Sequence, residues 1–203
     1  MAAAIGANLP VTEPIGNMIV DIGGGTSEIG IISIGSMVIC KSIRLGGDAL
    51  DQTIINHCKK YYNLLIGERT AEHIKIEIGS AYPLEKERNT EIRGRDLTTG
   101  MPRNLTLSSF EIRDTLSESI QTIIQTIHFL LDQCPPDLAS DIFNNGITLT
   151  GGGSLLTGLS TRIHKETNLK VTIATDPLEC VAAGTAKILS NKKLMEKIHT
   201  TIY

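Results

Sequence analysis

Residues 17–43 read NMIVDIGGGTSEIGIISIGSMVICKSI. β-Branched side chains fill three short runs, separated by Gly23-Gly24-Gly25 and by Gly35-Ser36. Branching at Cβ suits extended backbone and short glycine connections suit hairpins, so the stretch predicts three antiparallel strands. The first connection also lacks Cβ atoms. Backbone N–H groups there can wrap an anion that larger residues would hold off. A phosphate fits such a turn, with Asp21 at the strand end placed to hold a hydrated Mg²⁺ and the Thr26 hydroxyl placed to meet a terminal phosphate or its attacking water. A plain glycine-rich hairpin turn would read the same way from these residues alone.

Beyond Gly46-Gly47, Leu50, Ile54, Ile55 and Cys58 recur at helical spacing and predict a helix over 48–61. A second helix is predicted after Gly67, ending near Gly79. Residues 80–107 are polar and mixed, with TEIRGRDL and RNLTL as strand candidates. Ser108 or Ser109 can then cap a long helix, because Phe110, Ile112, Leu116, Ile120, Ile123, Ile124, Ile127 and Leu130 form an apolar face that Pro135-Pro136 terminates. One or two helical turns over 137–143 lead to a strand at 147–150. A helix over about 154–166, a strand at 170–174 and a final helix starting at Pro177 complete the chain. The predicted order is a β-meander, a helical insert, a long helix, then βαβα.

The second glycine cluster lies in TGGGSLLTGL, residues 150–159. The order strand, triple glycine, helix would turn the free N–H groups of Gly151, Gly152, Gly153 and Ser154 and a positive helix end toward a ligand. A tight strand-to-helix turn capped by Ser154 is the plainer reading. Leu156 stands where a dinucleotide fingerprint needs its third glycine, and no GxxxxGK[ST] occurs, so Rossmann and P-loop templates fail. In GERTAEHIK, residues 67–75, Glu68, Glu72 and Lys75 share one helical face. A solvated charged face with a Glu72–Lys75 pair is the competing interpretation.

The chain has 203 residues, 41% apolar and 20% charged, within the range of ordinary globular proteins. A net charge of −3 and 3% aromatics without Trp argue against nucleic acid as a partner. Residues 1–40 contain no Lys or Arg, and Pro10, Glu13 and Pro14 interrupt the apolar start, so no signal peptide is read there. Cys40, Cys58, Cys134 and Cys180 fit neither a metal site nor a disulfide framework, which suits reduced thiols in the cytosol. The five histidines show no metal-ligand spacing.

The segments 1–38, RLGGDALDQTIINH, GERTAEHIKIEIGSAYP and LTGGGSLLTGL, in this order and spacing, resemble the MreB family of bacterial actin-like cell-shape proteins. The resemblance implies an α/β fold of the ribonuclease-H-like actin type, specifically its second half, with a mixed sheet and flanking helices. It divides the chain into a larger subdomain of residues 1–47 and 115–190, an inserted smaller one of 48–114 and a tail or helix over 191–203. It implies ATP and Mg²⁺ as ligands. DIGGGT becomes a phosphate loop, with Gly23, Gly24, Gly25 and Thr26 binding, Thr26 positioning the water and Asp21 holding the metal through water. TGGGS becomes the adenosine loop, and the helix with Glu68, Glu72, His73 and Lys75 lines the adenine side. It also implies self-assembly into filaments in the cytoplasm, in contact with membrane-associated cell-wall elongation machinery. Family members carry a preceding domain with a first phosphate loop and a water-activating Glu, neither of which is in this sequence, so the expectation is an N-terminally shortened form with weak ATP binding and negligible turnover. The alternative expectation is a non-enzymatic half-domain that binds or caps filaments.

Overall fold

The computed structural model describes residues 1–198, so His199 and the end of the expected 191–203 tail lie outside the described residues. The opening stretch forms β1 (Asn17–Ile22), β2 (Ser27–Ser33) and β3 (Ser36–Ile43) as an antiparallel meander. Pairing of Ile22 with Ser27 leaves Gly23 to Thr26 as the connection. Met18, Val20 and Ile22 enter one core cluster, while Ile19 enters a second on the other face of the sheet. Both faces of β1 are therefore covered, which is why it is almost continuously apolar rather than alternating.

The strand β7 (Ile147–Thr150) joins β1 in parallel, with Asp21 beside Thr150, and β8 (Val171–Ile173) extends the sheet in parallel. The sheet order is β3-β2-β1-β7-β8. Since β1 and β7 run the same way in register, the two glycine clusters leave the same end of the sheet from neighbouring strands. Carboxyl ends of parallel strands at such a switch in connectivity are where open α/β sheets bind ligands.

The helices α2 (Gly47–Tyr62) and α3 (Glu68–Ile78) follow the predicted periodicity, burying Leu50, Ile54, Ile55 and Cys58, and Ala71, Ile74 and Ile78. A second, antiparallel sheet consists of β4 (Leu64–Leu65), β5 (Asn89–Asp96) and β6 (Pro102–Ser108). The long helix α4 (Ser109–Asp132) is capped by the Ser108 hydroxyl, which accepts from the Glu111 amide at 3.2 Å. Its predicted face is buried from Ile112 to Leu130, but Phe110 is 64% exposed and does not belong to it. One core cluster runs from Met18 and Val20 of the large sheet through α4 to Leu64, Ile92 and Leu107 of the small one.

Two elements were not predicted: α1 (Ala2–Gly6) and β4. Both are too short to carry a period. The helix α5 spans Pro136–Asn145. The helix expected over 154–166 is divided: Gly152–Leu155 form a 3₁₀ turn, and α6 (Leu159–Thr167) starts later. Residues 156–158 leave helical geometry to reach the segment after α3, where the Ala81 amide donates to the Thr157 carbonyl at 2.8 Å. The final helix α7 (Cys180–Ser190) begins after Pro177 rather than at it, because the Pro177 carbonyl accepts from the Gly151 amide at 2.8 Å. A short α8 (Lys192–Lys197) follows. No helix among the described residues is long and apolar enough to cross a membrane.

Candidate functional site

The connection between β1 and β2 is pinned from two sides. Within it, the Gly23 amide donates to the Thr26 carbonyl at 2.9 Å; from the start of α2, the Gly47 and Asp48 amides donate to the Gly23 and Gly24 carbonyls, both at 2.9 Å. Among the described residues, the amides of Gly24, Gly25 and Thr26 donate to nothing. These three consecutive donors sit on a held loop.

Two kinds of glycine are present. A Cβ on Gly24 would meet nothing nearer than the Asp48 carboxylate at 3.5 Å, and one on Gly25 would meet nothing within 4 Å. The protein's own packing does not require glycine at either position. Gly151 is different: its φ is +77°, and a Cβ there would run into the Ile22 carbonyl and lie 2.6 Å from Asp21 Oδ1. Gly151 makes the sharp exit from β7 possible.

The second loop offers fewer donors than expected. Gly151 N–H is taken by Pro177, and Ser154 N–H returns to the Gly151 carbonyl at 3.2 Å. The Ser154 hydroxyl also donates to the Gly151 carbonyl, at 2.6 Å, so this buried side chain closes the turn. Gly152 and Gly153 remain at the surface of a cavity of about 470 Å³ that Gly23, Gly24, Gly47, Asp48, Asp51, Glu72 and Lys75 also line. That volume lies in the range of small-molecule sites. Ile76, Leu155 and Leu178 give it an apolar rim and are 71%, 55% and 72% exposed.

Lys75 does not pair with Glu72. Its ammonium donates to Asp51 Oδ2 at 2.8 Å and to the Gly47 carbonyl at 3.1 Å. Both side chains are largely buried, and burial pushes the Asp51 carboxyl above the ordinary value while the bond to Lys75 pulls it back. Asp51 Oδ1 has no hydrogen-bond partner.

The remaining expected site residues are distributed around this cavity. Glu68 lines an adjoining hollow with Asp48, Asp51, Gln52, Arg69 and Glu72. His73 points away, exposed and 3.2 Å from Glu77 on its own helix. Thr26 is exposed on the pinned loop. Asp21 lines a separate cavity of about 320 Å³ with Met1, Glu28 and Lys41 among others. Sequence reasoning missed Asp51, which pairs with a residue far along the chain. It also missed the apolar rim, for which the available signal was Ile76 standing between Lys75 and Glu77 on a charged helix.

A mixed sheet with paired glycine turns at its carboxyl end and a second small sheet beside it defines the actin-like class. The fold matches that of MreB5 from Spiroplasma citri, solved bound to AMPPNP, with a TM-score of 0.91 and 39% identity over 96% of this chain and 59% of that one. The family model described as MreB/Mbl protein matches residues 1–197, and the chain belongs to that family. It is 52% identical to the cell shape-determining protein MreB of Escherichia coli (strain K12) over 189 residues, 93% of this chain and 54% of the relative. It is 44% identical to the cell shape-determining protein Mbl of Bacillus subtilis (strain 168) over 195 residues, 96% of this chain and 59% of the relative. The chain thus spans somewhat more than half the length of these relatives.

Proposed function

We propose that the cavity between the two glycine turns binds ATP with Mg²⁺, and that the chain supplies the second-half nucleotide wall of an actin-like cell-shape filament protein. The observation that carries this reading is the run of unused amides at Gly24, Gly25 and Thr26, on a loop whose glycines have no packing partner for a side chain. Consecutive free N–H groups form an anion site, and an oligophosphate presents a matching row of oxygens. The residues fit the group.

In this reading the phosphates lie against Gly23 to Thr26, the sugar passes Asp51, Glu72 and Lys75, and the base rests on Ile76, Leu155 and Leu178 beside Gly152 and Gly153. Glu68 contributes negative field at the adenine side. His73 stays outside the contact set. Mg²⁺ would ride on phosphate oxygens and water, with Asp21 near the end of β1 as an outer carboxylate. Thr26 is the hydroxyl for orienting a water at the terminal phosphate.

The larger roles follow from family membership and the similarity to MreB and Mbl. They are self-association into filaments in the cytoplasm, engagement of membrane-associated wall-elongation machinery, and a division into a larger subdomain of 1–47 and 115–190 with 48–114 inserted. Calorimetric titration of the purified chain with ATP, with and without Mg²⁺, tests the site. Saturable, Mg²⁺-dependent binding is expected, and its absence overturns the reading. Sedimentation with full-length MreB filaments tests assembly, and failure to co-sediment removes that part.

A further inference from the structure

The loop between α3 and β5 is held from two sides. From α4, Arg113 forks onto Glu87, with Nη2 donating to Oε1 at 2.6 Å and Nη1 to Oε2 at 3.3 Å. Arg113 Nη1 also donates to the Ser80 hydroxyl at 3.2 Å. The Arg113 guanidinium and then the Ser109 hydroxyl hold the Glu87 carboxyl below its ordinary value, so both partners of the fork are charged at neutral pH. An exposed ion pair would hold little, but this guanidinium side chain is only 14% exposed, and among the described residues it is the one partner of the fully buried Ser80 hydroxyl.

The same loop grips the segment that enters α6. Ser80 bridges Thr157 in parallel, and the Ala81 amide holds the Thr157 carbonyl. A Cβ on Gly158 would lie 2.9 Å from the Tyr82 Cβ, so the two segments pack closely as well. Residues 156–158 belong to no helix or regular strand and depend on contacts of this kind for their course. Leu155, Leu156 and Thr157 line the cavity of about 470 Å³, whereas Arg113 does not reach it.

One peptide unit joins the two grips. The Ala81 N–H lies in the plane of the Ser80–Ala81 peptide, and that plane is rigid. Anchoring the Ser80 side chain therefore aims the amide that holds Thr157. We infer that Arg113 is a positioning residue for the 155–157 wall of the cavity, setting through Ser80 and Ala81 where that wall meets the base of a bound nucleotide. This rests on the nucleotide reading of the same cavity. An Arg113 that only ties α4 to the small sheet would leave the wall indifferent to its loss.

The test compares the full chain as wild type, Arg113→Met and Glu87→Gln. In hydrogen exchange read by NMR without ligand, the Ala81 amide of Arg113→Met is expected to exchange about tenfold faster, while the Ile120 and Ile124 amides of α4 keep their wild-type rates. In calorimetric titration its affinity for Mg-ATP is expected to fall about tenfold, the order of losing part of one leucine's burial against the base. Affinity for the Mg²⁺ complex of inorganic triphosphate should stay within about twofold, because the loop of Gly23 to Thr26 is pinned independently. Glu87→Gln opens only the fork and should move both readings the same way by less; it carries the test if Arg113→Met does not fold. Unchanged Ala81 exchange overturns the inference. So does faster exchange with wild-type ATP affinity. ATP and triphosphate weakened by one common factor mark a purely structural role and overturn it too. No saturable ATP binding by the wild type removes the nucleotide reading itself, while the exchange rates still decide whether Arg113 aims the Ala81 amide.

Discussion

Gly24→Ala separates a glycine kept for the fold from one kept for a ligand. A Cβ at Gly24 lies 3.5 Å from the Asp48 carboxylate, ordinary van der Waals contact, and its φ is outside the left-handed range. The substitution restricts the unfolded chain and should stabilise the fold by about 0.4–1 kcal/mol. For a domain of this size that raises Tm by roughly 1–4 °C. The same methyl stands in the cavity beside the unused amides. Displacing one phosphate oxygen from an amide forfeits a charge-assisted hydrogen bond of about 1.5–3 kcal/mol, roughly a 10- to 150-fold loss in affinity for Mg-ATP. Gly151→Ala is the opposite case. Its φ of +77° costs about 1–2 kcal/mol for a residue with a Cβ, and the Ile22 carbonyl and Asp21 Oδ1 stand in the way. Tm should fall by at least about 4 °C. Thermal melts and calorimetric titrations of the three proteins decide the matter. A Gly24→Ala protein that melts as low as Gly151→Ala, or that binds Mg-ATP like the wild type, would refute the assignment of this glycine to the ligand.

Lys75→Met leaves the Asp51 carboxylate buried without its cation and should cost about 3 kcal/mol in denaturant unfolding; adding Asp51→Asn should recover more than half, and no recovery would mean the pair is not the source. Because burial raises the Asp51 pKa above its unfolded value, the folded state binds more protons just above the ordinary carboxylate range, and this residue's contribution falls as pH rises through that window. Asp51→Asn should therefore gain stability relative to wild type as pH rises above the ordinary carboxylate range, and a pH-independent difference contradicts it. Of the four free cysteines, Cys40 is exposed, whereas burial pushes the Cys58 thiol up to about 11, with the Glu111 charge adding to the shift. At pH 8 iodoacetamide should label Cys40 within minutes and Cys58 only on unfolding, as read by peptide mass spectrometry; early Cys58 labelling would refute its burial.

Where local pattern decides structure, the sequence was sufficient. The strands of 17–43, α2, α3 and α4 each carry their own period, and the two glycine clusters announce tight turns at strand ends. Long-range contacts decided the rest. The helix expected from Ser154 yields to a 3₁₀ turn because Thr157 is needed by Ala81, and α7 starts late because Pro177 serves Gly151. Phe110 fits a helical stripe by spacing yet faces solvent at the open end of α4. At the site, Lys75 had a plausible partner three residues away in Glu72, but burial against α2 gives it to Asp51 instead. Which glycine amides stay free is likewise invisible in the sequence, since it depends on the strand register and on where α2 begins.

In the proposed site the free amides of Gly24, Gly25 and Thr26 receive the phosphates. Amide-resolved ¹H–¹⁵N NMR of the labelled chain, titrated with Mg-ATP, measures it most directly. Saturable shifts are expected to be largest at Gly24, Gly25 and Thr26, with Gly152 and Gly153 following at the same midpoint. Saturation with those five amides unmoved, or with the largest shifts on another surface, would contradict it.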